Sequence, residues 1–159
     1  FWRRQGTMAC TVIAAESEKK VGTKLIFDGD HAVKVRTYFF GFIPLKLTLD
    51  VDDPRLVDSS KRSLKDTSTE RMLETLLHPQ AAIVPLGDGE AVGEAIELYE
   101  VRSPLKWPGM EKDVFGVSKR LALPIVRDAY DASGKLMFHM EMRQMKTNVS
   151  VPAVEWTLD

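Results

Sequence analysis

The sequence of 159 residues falls in the range of a single domain and is long enough to bury one hydrophobic core. Hydrophobic residues make up 44% and charged residues 28%, an ordinary globular composition that argues against a disordered chain or a disulfide scaffold. The net charge of −1 excludes the concentrated basic field of a nucleic-acid-binding protein, and the basic residues Lys61, Arg62 and Lys65 are typical of a solvated loop. The single cysteine, Cys10, cannot form an internal disulfide, and no run of ~18 apolar residues could span a membrane.

The first third of the sequence shows the period of two that is typical of strands. Strands are predicted over Thr7–Ala15, Thr23–Phe27, Ala32–Thr37 and Leu45–Asp50. Asp28-Gly29-Asp30 separates the second of these runs from the third, and an Asp-Gly pair in that position is a strong hairpin signal. The polar segment 51–66 predicts a loop.

A helix is predicted from Thr67 to Leu77. Its start fits the capping box, because Thr67-Ser68-Thr69-Glu70 provides a threonine hydroxyl and a glutamate carboxylate that can satisfy each other's orphan amide donors. An apolar stripe follows at helical spacing, formed by Met72, Leu73, Leu76 and Leu77. His78-Pro79 ends the helix, since the residue before proline is pushed out of the α region. We expect the stripe to pack against a sheet or to cover one.

The second half of the chain returns to strands. They are predicted over Gly93–Arg102, Asp113–Ser118, Leu123–Asp131 and Leu136–Met145, and the composition of the first of these also allows a helix. Gly87-Asp88-Gly89 precedes them and predicts a hairpin turn. A dinucleotide-binding loop is disfavoured, because its third glycine would have to stand where this chain has Val92.

The last predicted strand has two contrasting faces, because side chains alternate along a strand. One face carries the apolar residues Leu136, Phe138, Met140 and Met142. The other face carries the polar residues His139, Glu141 and Arg143, which could form a small polar site or an ordinary solvent-facing surface. We expect Phe138, Met140 and Met142 to be shielded from solvent.

The sequence offers no convincing catalytic or metal-binding constellation. Its three histidines, His31, His78 and His139, are not paired at the spacing of a metal site. No nucleophile elbow or phosphate-loop lysine motif is present, and no nucleophile stands next to a base. We therefore predict no catalytic residue, no metal and no cofactor, and a protein that binds rather than an enzyme.

Seven methionines and the aromatic run Tyr38–Phe42 suggest what could be bound. Methionine is flexible and polarizable, so it suits surfaces that accept variable apolar ligands such as acyl chains. The candidate ligand-binding residues are Phe138, Met140, Met142, Phe40, Phe42, Met72 and Leu76. The same residues would also suit an ordinary packed core, and periodicity does not distinguish the two.

The carboxy-terminal part of the chain combines several short motifs. Leu123-Pro124 opens an alternating strand, a turn follows at Asp131–Gly134, and a long strand leads to Asn148 and then to the aromatic Trp156. This pattern resembles the end of bacterial outer-membrane lipoprotein-sorting carriers and of uncharacterised envelope proteins similar to them. The stretch from Phe27 to Pro54 is similar to the corresponding part of those uncharacterised relatives.

The resemblance implies a mostly β (α+β) fold, with a curved antiparallel sheet or incomplete β-barrel around a hydrophobic cavity and at least one covering helix. It implies one lipoprotein-carrier-like domain over residues 1–159 that binds lipid or lipoprotein acyl chains without catalysis. Such a protein would act in the periplasm or at the outer membrane, peripheral to the membrane. The chain begins at Phe1 without an initiator methionine, so we expect a trimmed or processed chain in which any signal sequence is already missing. The alternative is a protein-interaction or envelope-sensor domain that uses the same concave face.

Overall fold

The structure is a computed structural model that describes residues 2–4, 7–11, 13, 21–40, 42–56, 66 and 68–158. These residues group into two compact units. The first unit combines the described parts of Phe1–Lys65 and Val149–Asp159, and the second unit is Asp66–Asn148. The basic residues between 61 and 65, and Thr67 of the predicted capping box, lie outside the described residues.

The first unit contains one five-stranded antiparallel sheet in which neighbours in the sheet are also neighbours in the chain. Its strands are β1 (Trp2–Arg4), β2 (Thr7–Thr11), β3 (Lys24–Phe27), β4 (Ala32–Phe39) and β5 (Ile43–Asp50). Two 3-10 turns, Pro54–Leu56 and Ala153–Trp156, belong to the same unit. An antiparallel order of consecutive strands needs no crossover connection, and hairpins therefore suffice to build it.

The turn between β3 and β4 confirms the predicted hairpin. Oδ1 of Asp28 accepts hydrogen bonds from the backbone N–H of Asp30 at 3.0 Å and from that of Ala32 at 3.1 Å. Gly29 has a φ of 93°, which residues with a Cβ adopt only with strain. The aspartate and the left-handed glycine together fix the register of the two strands.

One face of this sheet carries the hydrophobic core of the first unit. Its buried side chains are Met8, Phe27, Val33, Val35, Leu49 and Val51. The carboxy-terminal segment contacts the other face, where Nζ of the buried Lys24 donates a hydrogen bond to the carbonyl of Val154 at 2.9 Å. The carboxylate of Glu155 lies 3.9 Å from the same ammonium group, which gives the buried charge of Lys24 a counterion.

The second unit contains one α-helix and a second five-stranded antiparallel sheet. The helix is α1 (Thr69–Leu76), and the strands are β6 (Ala82–Ala91), β7 (Glu94–Arg102), β8 (Lys112–Ser118), β9 (Pro124–Tyr130) and β10 (Leu136–Glu141). The strands again follow one another in chain order, so that β6 and β10 are the two edges of the sheet. α1 contacts this sheet at β9.

The start of α1 corrects the predicted capping box by one residue. Ser68 has the extended backbone of an N-cap, and its Oγ accepts a hydrogen bond from the backbone N–H of Arg71 at 3.0 Å. With Ser68 as the cap, the third helical position is Arg71 rather than Glu70. The carboxylate that would have closed the box is therefore not at the required position.

The apolar stripe of α1 is narrower than predicted. Met72 is fully buried and Leu76 is partly buried, but Leu77 follows the helix as its C-cap and is 70% exposed. Leu77 is therefore not part of the covering face. The helix ends just before His78-Pro79, as the sequence predicts.

The turn predicted at Gly87-Asp88-Gly89 is wrong, because β6 continues through these residues. The chain reverses instead at Val92-Gly93, where the φ angles are 49° and 77°. Two successive residues with positive φ form the two-residue turn that matches the twist of a hairpin. Gly87, with a φ of 99°, follows an irregularity in the strand ladder after Pro85, and a bulge of this kind favours glycine.

β10 is shorter than predicted, since it ends at Glu141 rather than at Met145. Leu136 pairs with Tyr130 but Phe138 pairs with Ala129, so one extra residue interrupts the ladder between them. A bulge changes the direction of the side chains that precede it, and Leu136 is 46% exposed. The apolar face predicted from Leu136 therefore begins only at Phe138.

The predicted fold class is confirmed. The described residues form two antiparallel sheets, neither of which closes into a barrel, and one α-helix. The segment Gly93–Arg102, whose composition also allows a helix, forms strand β7. Within the described ranges, no helix is long and apolar enough to cross a membrane. That residues 1–159 act as one domain stays a prediction.

Candidate functional site

The seven predicted ligand-binding residues are divided between the two units. Five belong to the second unit: Met72 and Leu76 of α1, Phe138 and Met140 of β10, and Met142 directly after β10. The other two, Phe40 and Phe42, lie between β4 and β5 in the first unit. The second unit therefore contains most of the candidate site.

An apolar cluster lies where α1 packs on the sheet, and we name it the helix–sheet cluster. Its buried members are Met72, Val101 and Phe115, and its partly buried members are Leu76, Ala81, Tyr99, Met140 and Met142. The strand register explains this grouping: Met140 and Phe115 both pair with the same residue of β9, and Tyr99 pairs with Phe115. Paired residues project from the same face of a sheet. The cluster brings together four of the predicted residues: Met72, Leu76, Met140 and Met142.

Phe138 contacts a different side chain of the same unit. Its ring meets that of Trp107 edge to face, with centroids 4.9 Å apart and planes at 80°. This is a favoured geometry for an aromatic pair, because the positive ring edge points at the negative ring face. Phe138, Met140 and Met142 are each partly shielded from solvent.

A buried ion pair lies beside these aromatic rings. Nε of Arg127 donates a hydrogen bond to Oδ1 of Asp113 at 2.7 Å, and each side chain is only 1% exposed. The guanidinium carbon lies 3.9 Å from the ring centroid of Trp107 and 5.3 Å from that of Phe115. The carboxylate and two aromatic rings therefore stabilise a charge that is withdrawn from water.

The ion pair leaves two polar atoms of the described residues unsatisfied. Nη2 of Arg127 and Oδ2 of Asp113 are buried and have no hydrogen-bond partner. Nη1 of Arg127 reaches the backbone carbonyl of Asp66, just ahead of α1, at 3.5 Å. Arg127 thus connects the sheet to the segment that leads into the helix.

Sequence reasoning did not single out this arginine or its aspartate, although a signal for the arginine is present. Within β9, Arg127 alternates in phase with the apolar residues Ile125 and Ala129. A charged residue on the apolar face of a strand indicates a buried partner. The partner itself could not be identified, because Asp113 lies on the neighbouring strand, 14 positions away in the chain.

The attachments of α1 to the sheet include apolar packing. Two long polar contacts accompany the packing of Met72 and Leu76: Thr69 Oγ1 lies 4.0 Å from the sulfur of Met142, and the contact from Arg127 to Asp66 measures 3.5 Å. Contacts at these distances are weak. Met72 and Leu76 therefore contribute apolar packing that a ligand could replace.

The opposite face of β10 carries the polar residues that could have formed a small polar site. Nδ1 of His139 lies 2.6 Å from Oδ1 of Asp128, and Nε2 lies 3.5 Å from Oε1 of Glu141. The hydrogen bond to Asp128 raises the pKa of His139, and the hydrogen bonds from Arg143 lower the pKa of Glu141. The side chain of His139 is 50% exposed, as expected on a solvent-facing strand surface.

These polar side chains are engaged with one another, and no nucleophile lies among the contacts described for them. The described ranges also contain no group of three or more histidine, cysteine, aspartate or glutamate side chains that could hold a metal ion. The face is an ion-pair network on the surface of the sheet.

An open pocket on the second unit is lined largely by polar residues. Its lining residues are Arg102, Glu111, Lys112, Asp131, Ala132, Ser133 and Gly134. The apolar face beneath α1 is lined by the side chains of the helix–sheet cluster, several of which are only partly buried.

No known protein family matches this sequence, and no curated protein does. Solved structures do match. One chain in the solved complex of the Clostridioides difficile CwlD amidase with the GerS lipoprotein is 13% identical at a TM-score of 0.55, with 92% of this chain and 72% of that chain covered. An outer-membrane lipoprotein-sorting protein domain from Vibrio parahaemolyticus is 17% identical at a TM-score of 0.45, with 84% and 55% covered. A LolA superfamily protein from Nitrosomonas europaea is 12% identical at a TM-score of 0.39, with 89% and 73% covered.

The present chain spans about half the length of the Vibrio parahaemolyticus chain that it matches. At these identities the likeness is one of fold alone. The solved structures that match thus include a lipoprotein-sorting domain and a LolA superfamily protein, the class of protein that the sequence resembles.

Proposed function

We propose that this protein binds the acyl chains of lipids or lipoproteins, without catalysis, on the sheet face that α1 covers. The observation that carries the proposal is the convergence of Met72, Met140 and Met142 in the helix–sheet cluster. Three methionines where α1 packs on the sheet give a surface that can adapt to apolar ligands of variable shape, because the methionine side chain is flexible and polarizable.

The expected driving force is the burial of hydrocarbon. Each buried CH2 group contributes ~0.8 kcal/mol, so a long acyl chain gains substantial affinity without a specific polar contact. The helix–sheet cluster consists of aliphatic, aromatic and thioether side chains that match such a ligand.

Binding would proceed by exchange of apolar contacts. In the structure described here Met72 and Leu76 of α1 occupy the sheet face, and the polar contacts that accompany them are long. An acyl chain that displaced the helix would replace these contacts with chemically similar ones. The net cost of opening would therefore be partly offset by the ligand itself.

We further propose that the protein acts in the periplasm or at the outer membrane, peripheral to the membrane. The resemblance of the sequence to lipoprotein-sorting carriers motivates this assignment.

A matched set of tryptophan substitutions tests acyl-chain binding. Met140→Trp and Met142→Trp add bulk on the proposed ligand face, whereas His139→Trp adds the same bulk on the opposite face. We expect the wild type to bind a fluorescent fatty-acyl probe saturably. The two methionine variants should bind the probe at least ~10-fold more weakly, which corresponds to ~1.4 kcal/mol. The His139→Trp variant should keep the affinity of the wild type.

Thermal midpoints, measured on the same samples, separate a ligand face from a closed core. A wild type without saturable probe binding, together with large falls in midpoint for Met140→Trp and Met142→Trp, would show that the cluster is simply packed. Native mass spectrometry adds an independent readout, since a co-purified lipid appears as a defined mass increment.

The second candidate function is the binding of a protein partner. Edge strand β6 exposes three apolar side chains, Ile83 at 44%, Val84 at 52% and Leu86 at 51%, and an exposed edge can pair with a strand of another protein. The amidase–lipoprotein structure that shares this fold is a complex of two proteins. A stable wild type that fails to bind the acyl probe would favour this second function.

A further inference from the structure

The connection between β4 and β5 presents a concentrated apolar surface, which we name the hairpin tip: Phe39, Phe40, Phe42 and Ile43. Their side chains are 56%, 76%, 73% and 46% exposed, respectively. Single exposed apolar residues are common, but a contiguous group of this kind indicates an interaction site.

The hairpin tip extends beyond the neighbouring strand. β3 pairs with β4 only from Val33 to Arg36, whereas the β4–β5 ladder continues to the pair of Phe39 with Ile43. Three residues of extended chain span ~10 Å, at ~3.3 Å per residue. Thr23 and Gly22, just ahead of β3, still lie beside Thr37 and Tyr38, so the aromatic end of the hairpin extends past the described neighbouring chain from Phe39 onward.

The backbone at the hairpin tip is adapted to expose an aromatic side chain. Phe40 has a φ of 53°, in the left-handed region where glycine or asparagine is normally found. Its ring contacts that of Phe39, with centroids 4.2 Å apart. A bulky ring is thus held in solvent by a backbone conformation that ordinarily favours a small residue, which is a common sign of a functional position.

Charges along the hairpin are distributed unevenly. The stretch from His31 to Leu49 contains Lys34, Arg36 and Lys46 and no acidic residue. Arg36 pairs with Lys46 across the ladder, three positions from Phe39 on β4. The acidic residues Asp30 and Asp50 lie at the opposite end of the hairpin. Arg36 is partly buried and its Nη1 donates a hydrogen bond to the carbonyl of Leu158 at 3.4 Å, whereas Lys34 and Lys46 are exposed. The hairpin therefore presents an apolar tip and, about 10 Å or more behind it, a basic band that consists of these two lysines.

We infer that the hairpin tip docks onto the surface of a lipid bilayer that contains anionic lipids. The phenylalanine rings would enter the boundary between headgroups and acyl chains, which extends ~5–10 Å below the surface, while the basic band meets the headgroups. This inference goes beyond the proposed function, since it concerns a different unit and a membrane rather than a bound acyl chain.

Vesicle co-sedimentation tests the inference with the full chain. We expect the wild type to bind vesicles of phosphatidylcholine that also contain phosphatidylglycerol, and to bind vesicles of phosphatidylcholine alone more weakly. Phe40→Ser/Phe42→Ser should lower partitioning ~100-fold, because burial of each phenylalanine contributes a factor of about ten or more. Leu77→Ser removes an exposed leucine of the second unit and should leave partitioning unchanged.

The basic band is tested by a charge-matched pair of variants. Lys34→Glu/Lys46→Glu should lower binding to the anionic vesicles at least ~10-fold and change binding to neutral vesicles much less. Lys135→Glu/Lys146→Glu makes the same change of net charge at exposed positions of the second unit. Equal losses from the two double variants would show that net charge alone is responsible and would overturn the role of the basic band.

Insertion is measured directly with Phe42→Trp. The protein already contains three tryptophans, so the quantity compared is the quenching by brominated lipid beyond that of the wild type. This additional quenching should be larger for Phe42→Trp than for Leu77→Trp. Absence of vesicle binding by the wild type, or binding that survives Phe40→Ser/Phe42→Ser, would overturn the inference. A wild-type dimer that the same double variant dissociates, without vesicle binding, would instead identify the tip as a contact between two copies. Vesicle binding should be unchanged by Met140→Trp and Met142→Trp, which lie in the second unit, so this proposal and the proposed function can fail separately.

Discussion

The guanidinium carbon of Arg127 lies 3.9 Å from the ring centroid of Trp107, so that a buried cation is stacked on an indole. Asp113 accepts a hydrogen bond from the same guanidinium group at 2.7 Å, and the ring of Phe138 packs edge to face on Trp107. Residues of three strands and a loop are thus coupled through one charge. Such an arrangement is stable only while each partner is in place.

The first prediction follows from this coupling. Asp113→Val leaves the charge of Arg127 buried without its counterion and should reduce the free energy of unfolding by ~3–5 kcal/mol. Asp113→Val/Arg127→Met removes both charges and should cost clearly less than the sum of the two single changes. Urea denaturation of the three variants measures this difference.

An exposed ion pair provides the control for that experiment. Arg143 donates to Glu141 at 2.8 Å, but its side chain is 77% exposed. Arg143→Met should change the free energy of unfolding by less than ~1 kcal/mol, because exposed pairs contribute little. Additive costs at Asp113 and Arg127 would contradict the coupling.

The second prediction concerns the two faces of β10. Phe138→Ala removes the ring that packs on Trp107 and should reduce the free energy of unfolding by ~1–3 kcal/mol, less than the ~3–5 kcal/mol of a fully buried phenylalanine, because Phe138 is only partly buried. His139→Ala should change it by less than ~0.5 kcal/mol, as an exposed substitution does. Thermal and urea denaturation would both detect the difference, and equal sensitivity at the two positions would argue against the assigned faces.

Local signals in the sequence predict most of the fold. Asp28-Gly29 identifies a hairpin because its turn chemistry is contained within a few residues. Gly87-Asp88-Gly89 predicts a turn that does not form, because glycine is favoured in β-bulges as well as in turns. Which of the two occurs depends on the pairing of β6 with β7. The reversal at Val92-Gly93 places a β-branched residue at positive φ, a conformation that residue propensity argues against.

The candidate site is harder to predict from the sequence than the fold, because it depends on contacts between strands. Periodicity places Met140 on the apolar face of β10, but its proximity to Met72 depends on how α1 packs on the sheet. The pairing of Arg127 with Asp113 likewise depends on the register of β8 with β9. Such contacts between distant positions follow from strand pairing rather than from local composition.

The third prediction is a pH dependence that originates at His139. Its hydrogen bond to Asp128 raises the pKa of the imidazole in the folded state, and Glu141 adds to the effect. A raised pKa means that the folded state binds the proton more tightly, so the stabilisation is fully present below the ordinary histidine pKa of ~6.5 and is lost as pH rises through the folded pKa.

His139→Gln should therefore reduce thermal stability more in mildly acidic buffer than in alkaline buffer, relative to the wild type. The effect is expected to be small, because half of the side chain is exposed to solvent. An NMR titration of the imidazole protons gives the folded pKa directly. A value at or below that of an unstructured histidine would contradict the prediction.

The fourth prediction concerns the close approach of β7, β8 and β9 at Gly116. A Cβ at this position would lie 2.8 Å from Cδ1 of Ile96 and 3.1 Å from Cβ of Val126. Gly116→Ala should therefore strain the packing and reduce the free energy of unfolding by ~1–3 kcal/mol.

A second substitution distinguishes steric overlap from any other effect of Gly116→Ala. Ile96→Val removes the Cδ1 atom that the new methyl group would meet, and on its own it should cost ~0.5–1.5 kcal/mol. If overlap is the cause, the double variant should be more stable than the sum of the single costs implies, because the methyl group occupies the space that Ile96→Val vacates. Gly89→Ala is the strand control, since its nearest neighbour is the flexible end of Leu98 at 3.2 Å. Two outcomes would show that tight packing against Ile96 is not the reason for glycine at position 116. One is a reduction in the free energy of unfolding by Gly89→Ala as large as that by Gly116→Ala, and the other is strict additivity in the double variant.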